Sequence, residues 1–318
     1  MRARGDRLAV VKGHGTGNDF VLIDDRAGTL DLTPELVRAL ADRRTGVGAD
    51  GVIRLVPSDA LEAGGPSLAE DPRARWFMDY RNADGSDAEM CGNGIRVVAA
   101  LAARLGVWDD AGDLVLGTRA GVRTVRREAG PDGGAGPWYA VDMGRWRLPG
   151  GERAAADGHD AEVTIPGLGV SRPALSIEVG NPHTVLAVAD TAELAAADLT
   201  RPPVVQPEPS AGTNVELVVP MGERDGGGPA GERDGAGRAG LVRMRVHERG
   251  VGETRSCGTG ACAAALVVRT WAGPDAPDVW WVEVPGGTLR VRVTGDRVEL
   301  GGPAVLVADV DVDLAALG

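Results

Sequence analysis

Lysine is almost missing from this chain of 318 residues: Lys12 is the only one, and every other cation among its 34 is arginine. A pyridoxal phosphate (PLP) enzyme holds its cofactor as a Schiff base on a lysine. No Gly-rich phosphate cradle in a strand–helix–strand setting accompanies Lys12, so PLP chemistry is not expected and no cofactor is implied. Cysteine is scarce as well. Three thiols make no disulfide framework, and the simplest setting is a reducing cytoplasm where they stay free. Aromatic residues are 3% of the chain, and no Lys/Arg cluster sits at an aromatic-rich stretch. That excludes nucleic acid as an expected partner. No apolar run is long enough to span a bilayer, and no apolar segment after Met1-Arg2-Ala3-Arg4-Gly5-Asp6 reads as a secretory signal, so no membrane partner is expected. The net charge of −12 bears on solubility, not on fold.

The length suggests about two domains, each able to bury a core. Residues 8–15 and 20–24 read as paired strands. Thr33-Pro34-Glu35 reads as an N-cap followed by proline at the first helical position, opening a helix to Ala41. Residues 57–75, rich in Pro, Gly and acidic groups, read as a solvated loop. Gly130–Pro137 is the best linker candidate. Further strands are expected near 76–80, 113–127, 161–166, 174–180, 184–189, 214–219, 241–247, 279–284, 288–293 and 297–300. Residues 221–240 are of low complexity, with Gly-Glu-Arg-Asp-Gly at 222–226 and again at 231–235. They read as a mobile hairpin extension. Helices are few and most connections short, which predicts an α+β protein of antiparallel sheets.

One element occurs twice. Cys91-Gly92-Asn93-Gly94 and Cys257-Gly258-Thr259-Gly260 lie 166 positions apart, and each runs into an apolar helical segment. A cysteine just before a helix meets free N–H groups and the positive end of the helix dipole, a setting that favours a thiolate. Two such cysteines suggest an acid and a base acting on opposite faces of one carbon atom. Cys262, inside the second helical run, reads instead as a small core residue.

Other motifs support this pairing: His14-Gly15-Thr16-Gly17-Asn18-Asp19-Phe20, Gly46-Val47-Gly48-Ala49-Asp50, Asn82-Ala83-Asp84-Gly85-Ser86, Gly180-Asn181-Pro182-His183, Thr213-Asn214 and His247-Glu248-Arg249-Gly250. With the two cysteine motifs they resemble, in order and over nearly the whole chain, the diaminopimelate epimerases, a family of PLP-independent two-cysteine amino-acid racemases. The resemblance implies two pseudo-symmetric α+β domains. Each is a twisted, mainly antiparallel sheet or barrel around a central helix, with the active site in the cleft between them. The first would be 1–136, joined by 303–318 and carrying Cys91; the second would be 137–302, carrying Cys257.

The resemblance further implies stereoinversion of LL-2,6-diaminopimelate to the meso isomer, in lysine and peptidoglycan-precursor synthesis, with diaminopimelate as partner and a homodimer as assembly. Cys91 and Cys257 would exchange thiolate and thiol roles. Asn18, Asn82, Asn181 and Asn214 would bind substrate, together with Gly92, Asn93, Gly258 and Thr259 at the two helix N-termini. Arg249 would grip the distal carboxylate with a bidentate fork, and Glu248 the ammonium. His183 and Glu248 would tune the thiols. His14 reads as structural, and His159 receives no role. Many members carry Gln directly after the Asp of the Gly-Val-Gly loop; here that position is Gly51. Thr16 also replaces a commonly apolar residue. The rival enzyme is a proline or hydroxyproline racemase, whose substrate would leave Arg249 unpaired. The rivals without this chemistry are a binding protein with dead chemistry and a metal site, and Cys257 and Cys262 lack the usual ligand spacing for zinc.

Overall fold

The computed structural model describes residues 7–109, 112–130, 136–225 and 238–317. The chain divides into two compact units. Unit 1 holds the chain up to Glu128, Gly136–Val141 and everything from Pro303 onward; unit 2 holds Asp142–Gly302.

Unit 1 runs β1 (Arg7–Gly15), β2 (Asn18–Asp24), α1 (Pro34–Ala41), β3 (Gly51–Pro57), α2 (Gly65–Glu70), β4 (Trp76–Asn82), α3 (Gly92–Arg104), β5 (Leu114–Thr118), β6 (Gly121–Glu128) and β7 (Trp138–Arg145). Thr33 caps α1 as its sequence implies, its Oγ1 accepting the Leu36 N–H at 3.2 Å. Strands β1 to β7 pair in chain order. The β2–β3 and β4–β5 pairs are parallel and the others antiparallel. The first half of β7 pairs with β6, Val125 opposite Val141, and this pairing draws residues 136–141 into unit 1.

Residues 57–75 are exposed over much of their length, as their composition predicts, but they are not a loop throughout. They hold 3-10 turns at Ser58–Ala60 and Glu62–Gly64, then α2. The Ser58 hydroxyl, fully buried, donates to the Ala74 carbonyl at 2.6 Å, and its N–H to Arg75 O at 3.0 Å. At Gly64 a Cβ would fall 2.1 Å from Ser58 O. The segment thus closes on itself through Ser58.

Unit 2 runs α4 (Gly151–Asp157), β8 (Ala161–Thr164), β9 (Ser171–Glu178), β10 (Pro182–Ala187), α5 (Thr191–Ala196), β11 (Val204–Gln206), β12 (Asn214–Asp225), β13 (Arg238–Glu248), β14 (Gly252–Thr254), α6 (Gly258–Ala272), β15 (Val279–Val284), β16 (Gly287–Thr294) and β17 (Arg297–Pro303). Its main strand order is β9–β10–β12–β13–β15–β16–β17. Here β10–β12 and β13–β15 are parallel and the other pairs antiparallel. A last strand, β18 (Val305–Asp313), returns to unit 1 and pairs with β1. The expected linker falls largely on 131–135 and the repeated segment largely on 226–237, both outside the described residues. Strands β12 and β13 pair as far as Asp225 opposite Arg238.

The two units thus follow one plan. Strands β1 to β7 match β9, β10, β12, β13, β15, β16 and β17 in order and in the sense of each pairing. The offset of 166 between the cysteines also holds in the sheets: Trp76 pairs with Leu116, and 166 residues later Val242 pairs with Val282. Each central helix is buried along its length, α3 from Gly92 to Ala102 and α6 from Gly260 to Val268, as expected of a helix wrapped by a sheet. Among the described residues, no helix is long and apolar enough to cross a membrane.

Candidate active site

Cys91 is the N-cap of α3. Its backbone is extended, and its sulfur accepts the Gly94 N–H at 3.4 Å. The thiol also reaches Asn18 Oδ1 at 3.5 Å, an oxygen that accepts from Asn93 Nδ2 at 3.2 Å. The Asn18 amide is oriented from behind, its Nδ2 donating to Asp50 Oδ2 at 2.6 Å. Asp50 is held by Arg43 at 2.6 Å, and Arg43 by Asp19 at 2.7 Å. Lys12 joins this network through Asp19 at 2.5 Å. The only lysine is therefore one partner of an ion-pair cluster. Burial alone raises the Asp19 carboxyl; Arg43 and Lys12 outweigh it and hold the group far below the carboxylate range.

Beneath Cys91 lies Arg96, fully buried inside α3. It donates to Gly92 O and Asn93 Oδ1, each at 3.0 Å, to Thr16 Oγ1 at 3.3 Å and to Pro303 O at 3.4 Å. Thr16 has φ +50°, a conformation rare for a branched residue, and its hydroxyl is tied to this cluster. The Asn93 side chain is thus spent on the scaffold, which leaves its backbone for a ligand. Asn82 ends β4 in a turn, its Nδ2 donating to Ser86 Oγ at 3.0 Å. At Gly51 a Cβ would lie 2.6 Å from both Arg81 O and the Tyr80 ring. This position contributes backbone alone, because Tyr80 fills the space a side chain needs.

Cys257 caps α6 in the same way, its sulfur accepting the Gly260 N–H at 3.3 Å and standing 3.5 Å from Thr259 Oγ1. Its surroundings differ. The Glu248 carboxylate acts on this thiol and accepts from Thr254 Oγ1. His183, 1% exposed, donates from Nδ1 to Glu216 Oε1 at 2.7 Å, while its Nε2 lies 2.9 Å from Asn181 Oδ1. Burial, then Glu248 and Glu216, push the Cys257 thiol well above its ordinary value, against the Thr259 hydroxyl and the Gly260 N–H. The helix N-terminus, expected to favour a thiolate, is outweighed here. Burial also raises Glu248, aided by Glu216, and Thr254, Cys257 and His183 oppose the rise.

Asn214 is a strut. Its Oδ1 accepts the Arg249 N–H at 2.9 Å, and its Nδ2 donates to Pro182 O at 3.3 Å. Arg249 is exposed and donates to Ala211 O. His14 accepts the Gly17 N–H at 3.4 Å, a turn contact, and His159 is bonded near Asp157 O. Cys262 is fully buried in α6, and none of the three cysteines is in a disulfide. Among the described residues no cluster of His, Cys, Asp and Glu could hold a metal ion.

Sequence reasoning missed four contributors: Asp50 behind Asn18, Arg96 beneath Cys91, Thr254 on Glu248 and Glu216 behind His183. Glu216 did leave a signal. It is the one charged residue in Asn214-Val215-Glu216-Leu217-Val218-Val219, and it is fully buried.

The sequence profile of the family described as "Diaminopimelate epimerase" matches residues 10–148 and 175–307. The chain belongs to this family. A diaminopimelate epimerase from Thermobifida fusca is 45% identical, covering 98% of this chain and all of the relative. One from Streptomyces coelicolor is 44% identical over 98% of this chain and 97% of the relative. Among solved structures, a Bacillus anthracis phenazine biosynthesis protein of the PhzF family superposes with a TM-score of 0.63, at 13% identity, covering 96% of this chain and 99% of that one. That likeness speaks for the fold alone: two α+β units with large sheets. Diaminopimelate epimerases are isomerases, and the two motifs that open α3 and α6 lie within the matched segments.

Proposed function

We propose that this protein is a PLP-independent diaminopimelate epimerase that inverts one α-carbon of LL-2,6-diaminopimelate to the meso isomer. Cys91 as thiolate takes the α-hydrogen as a proton, and the C–H electron pair passes into the adjacent carboxylate as a carbanion. Cys257 as thiol gives its proton to the opposite face of that carbon. Cys91 is left as the thiol and Cys257 as the thiolate, and the reverse reaction exchanges their duties. The mechanism requires one sulfur at each face of one substrate carbon.

Acid–base transfer alone supplies roughly 10²–10⁴-fold. Stabilising the carbanion falls to the first N–H groups of α3 and α6, at Gly92, Asn93, Gly258 and Thr259, which have no acceptor within their helices. One such preorganised donor is worth about 3 kcal/mol. Arg249 receives the distal carboxylate and Glu248 the ammonium, and Asn18, Asn82 and Asn181 offer the substrate amide groups. Proline would leave the Arg249 guanidinium without a partner. A reducing cytoplasm suits three cysteines outside any disulfide.

The observation that carries this reading is the pair of sulfurs capping equivalent helices, one of them held as a thiol by burial and two carboxylates. The test is incubation with LL-diaminopimelate in heavy water. Deuterium should enter the inverted α-carbon, and Cys91→Ser and Cys257→Ser should each remove inversion. Full inversion by either variant, or no deuterium uptake by the unaltered protein, sinks the mechanism.

A further inference from the structure

We infer that Glu216 is a positioning residue for Cys257: it fixes the His183 ring through Nδ1 and places a carboxylate against the first turn of α6. Glu216 stands on β12, fully buried, with Oε1 2.7 Å from His183 Nδ1 on β10. The same oxygen is 2.7 Å from where a Cβ on Gly260 would lie, with the Cys257 sulfur 3.3 Å from that point. Only a glycine at 260 lets the carboxylate come so close. Its other oxygen, Oε2, is buried and has no hydrogen-bond partner among the described residues. Keeping a carboxylate so incompletely bonded costs stability, and an apolar side chain would pack there at no such cost. Unit 1 shows this: at the matching place over Gly94 stands Ile53, its Cδ1 2.8 Å from the corresponding Cβ point.

The charge therefore acts on its neighbours. The groups facing Cys257 are Glu248 from β13, Glu216 from β12 and, through Glu216, His183 from β10. The other strands against α6 carry charges engaged elsewhere, Glu178 of β9 with Arg147, Glu283 of β15 with Arg243, and Arg290 of β16 with Glu299. Glu216 thus fixes the His183 tautomer and makes ionisation of Cys257 harder, which suits it to deliver a proton. This deepens the proposed function and rests on it only for that catalytic consequence.

The test reads Cys257 directly. In a Cys91→Ser background, iodoacetamide alkylation of the Cys257 peptide is followed by mass spectrometry against pH. Glu216→Gln should lower the alkylation midpoint by about one pH unit, giving about tenfold faster alkylation at a fixed pH below it. Glu216→Asp, which keeps the charge, should restore the original midpoint. With Cys91 intact, Glu216→Gln should also move a limb of the kcat/KM pH profile. An unchanged midpoint in folded Glu216→Gln overturns the inference. Should that variant not fold, the unaltered protein decides through the ¹H–¹⁵N signal of the His183 ring. A protonated, downfield Nδ1–H near neutral pH supports the assignment, and an unprotonated Nδ1 overturns it. A shifted midpoint in a protein that inverts no substrate would sink the epimerase reading and leave Glu216's role standing.

Discussion

Units 1 and 2 carry the same sheet order and the same cysteine-capped helix, yet they differ one layer behind each sulfur. Phe20 and Ile53 stand where unit 2 has His183 and Glu216; the parallel pairing puts Phe20 opposite Gly51 and His183 opposite Asn214. Phe20 meets Tyr80 edge-on at 5.9 Å, an apolar contact, while His183 meets Glu216 through a buried hydrogen bond of 2.7 Å. Inside the helices the contrast reverses: Arg96 of α3 is a buried guanidinium, and its counterpart in α6 is Cys262. The shared scaffold delivers a sulfur to a helix N-terminus in each unit. The residues behind it decide which charge that sulfur feels. For the proposed two-base reaction, coupling alone would let a like pair of thiols share one proton, and unequal surroundings settle which sulfur keeps it.

The hardest test of the comparison moves the carboxylate across it. Ile53→Glu places an acid over Gly94 with Phe20, not an imidazole, beside it. The expected cost is about 3–5 kcal/mol, the size of leaving a buried charge without its partner. Thermal unfolding checks this; a loss below about 1 kcal/mol would mean that the two layers are interchangeable.

The pH dependence of stability should also differ between the units. Burial raises Asp79 in β4, but Arg119, Arg54 and Arg81 outweigh it and hold the carboxyl below its ordinary range. Its folded value is depressed, so its contribution is complete above the unfolded carboxylate value and lost as pH falls through the folded one. Asp79→Asn should cost about 3–5 kcal/mol at neutral pH, and the deficit should shrink in acid. Glu248 is raised, so its contribution is complete below the unfolded value and lost as pH climbs through the folded one. Glu248→Gln should therefore gain stability relative to the unaltered protein as pH rises. Thermal midpoints across pH measure both, and parallel profiles would contradict the assignment.

How much of this was legible in the sequence follows from distance along the chain. The cysteine caps, the Thr33 cap and most strands lie in local pattern, and they were readable. Glu216 reaches His183 across 33 positions only because β10 and β12 run parallel, and Asp50 reaches Asn18 across 32 through the parallel β2–β3 pair. Parallel registers leave no local signature. Arg96, within the apolar run Ile95-Arg96-Val97, left no sign of its role, because its acceptors include groups as distant as Thr16 and Pro303. Residues 57–75 misled through composition, since the partners of Ser58 lie 16 and 17 positions on, at Ala74 and Arg75.

A finer test adds one methyl to each helix. Gly94→Ala meets Ile53 Cδ1 at 2.8 Å, and Gly260→Ala meets Glu216 Oε1 at 2.7 Å. Overpacking costs about 1–3 kcal/mol, while alanine in a helix returns about 1 kcal/mol. Both variants should lose on the order of 1 kcal/mol. Only Gly260→Ala displaces a carboxylate, so only it should shift the alkylation midpoint of Cys257. Equal chemical effects on Cys91 and Cys257 would break the comparison.

The smallest expected effects lie where each unit's third strand begins. Asp50 precedes Gly51 and fixes the Asn18 amide with a charged acceptor; Thr213 precedes Asn214 and offers a neutral hydroxyl 3.0 Å from Thr184 Oγ1. Asp50 is partly exposed at 42%, so Asp50→Ala should barely move the unfolding midpoint. It frees the Asn18 amide to turn its N–H groups toward Cys91. Losing a hydrogen bond to a charged group, about 1.5–3 kcal/mol, predicts a fall of tenfold or more in kcat/KM. Thr213→Ala loses a neutral bond of about 0.5–1.5 kcal/mol, so a fall of a few-fold is expected. Steady-state kinetics on diaminopimelate ranks the two, and a larger loss from Thr213→Ala would show that orientation by charge is not what distinguishes the Cys91 side.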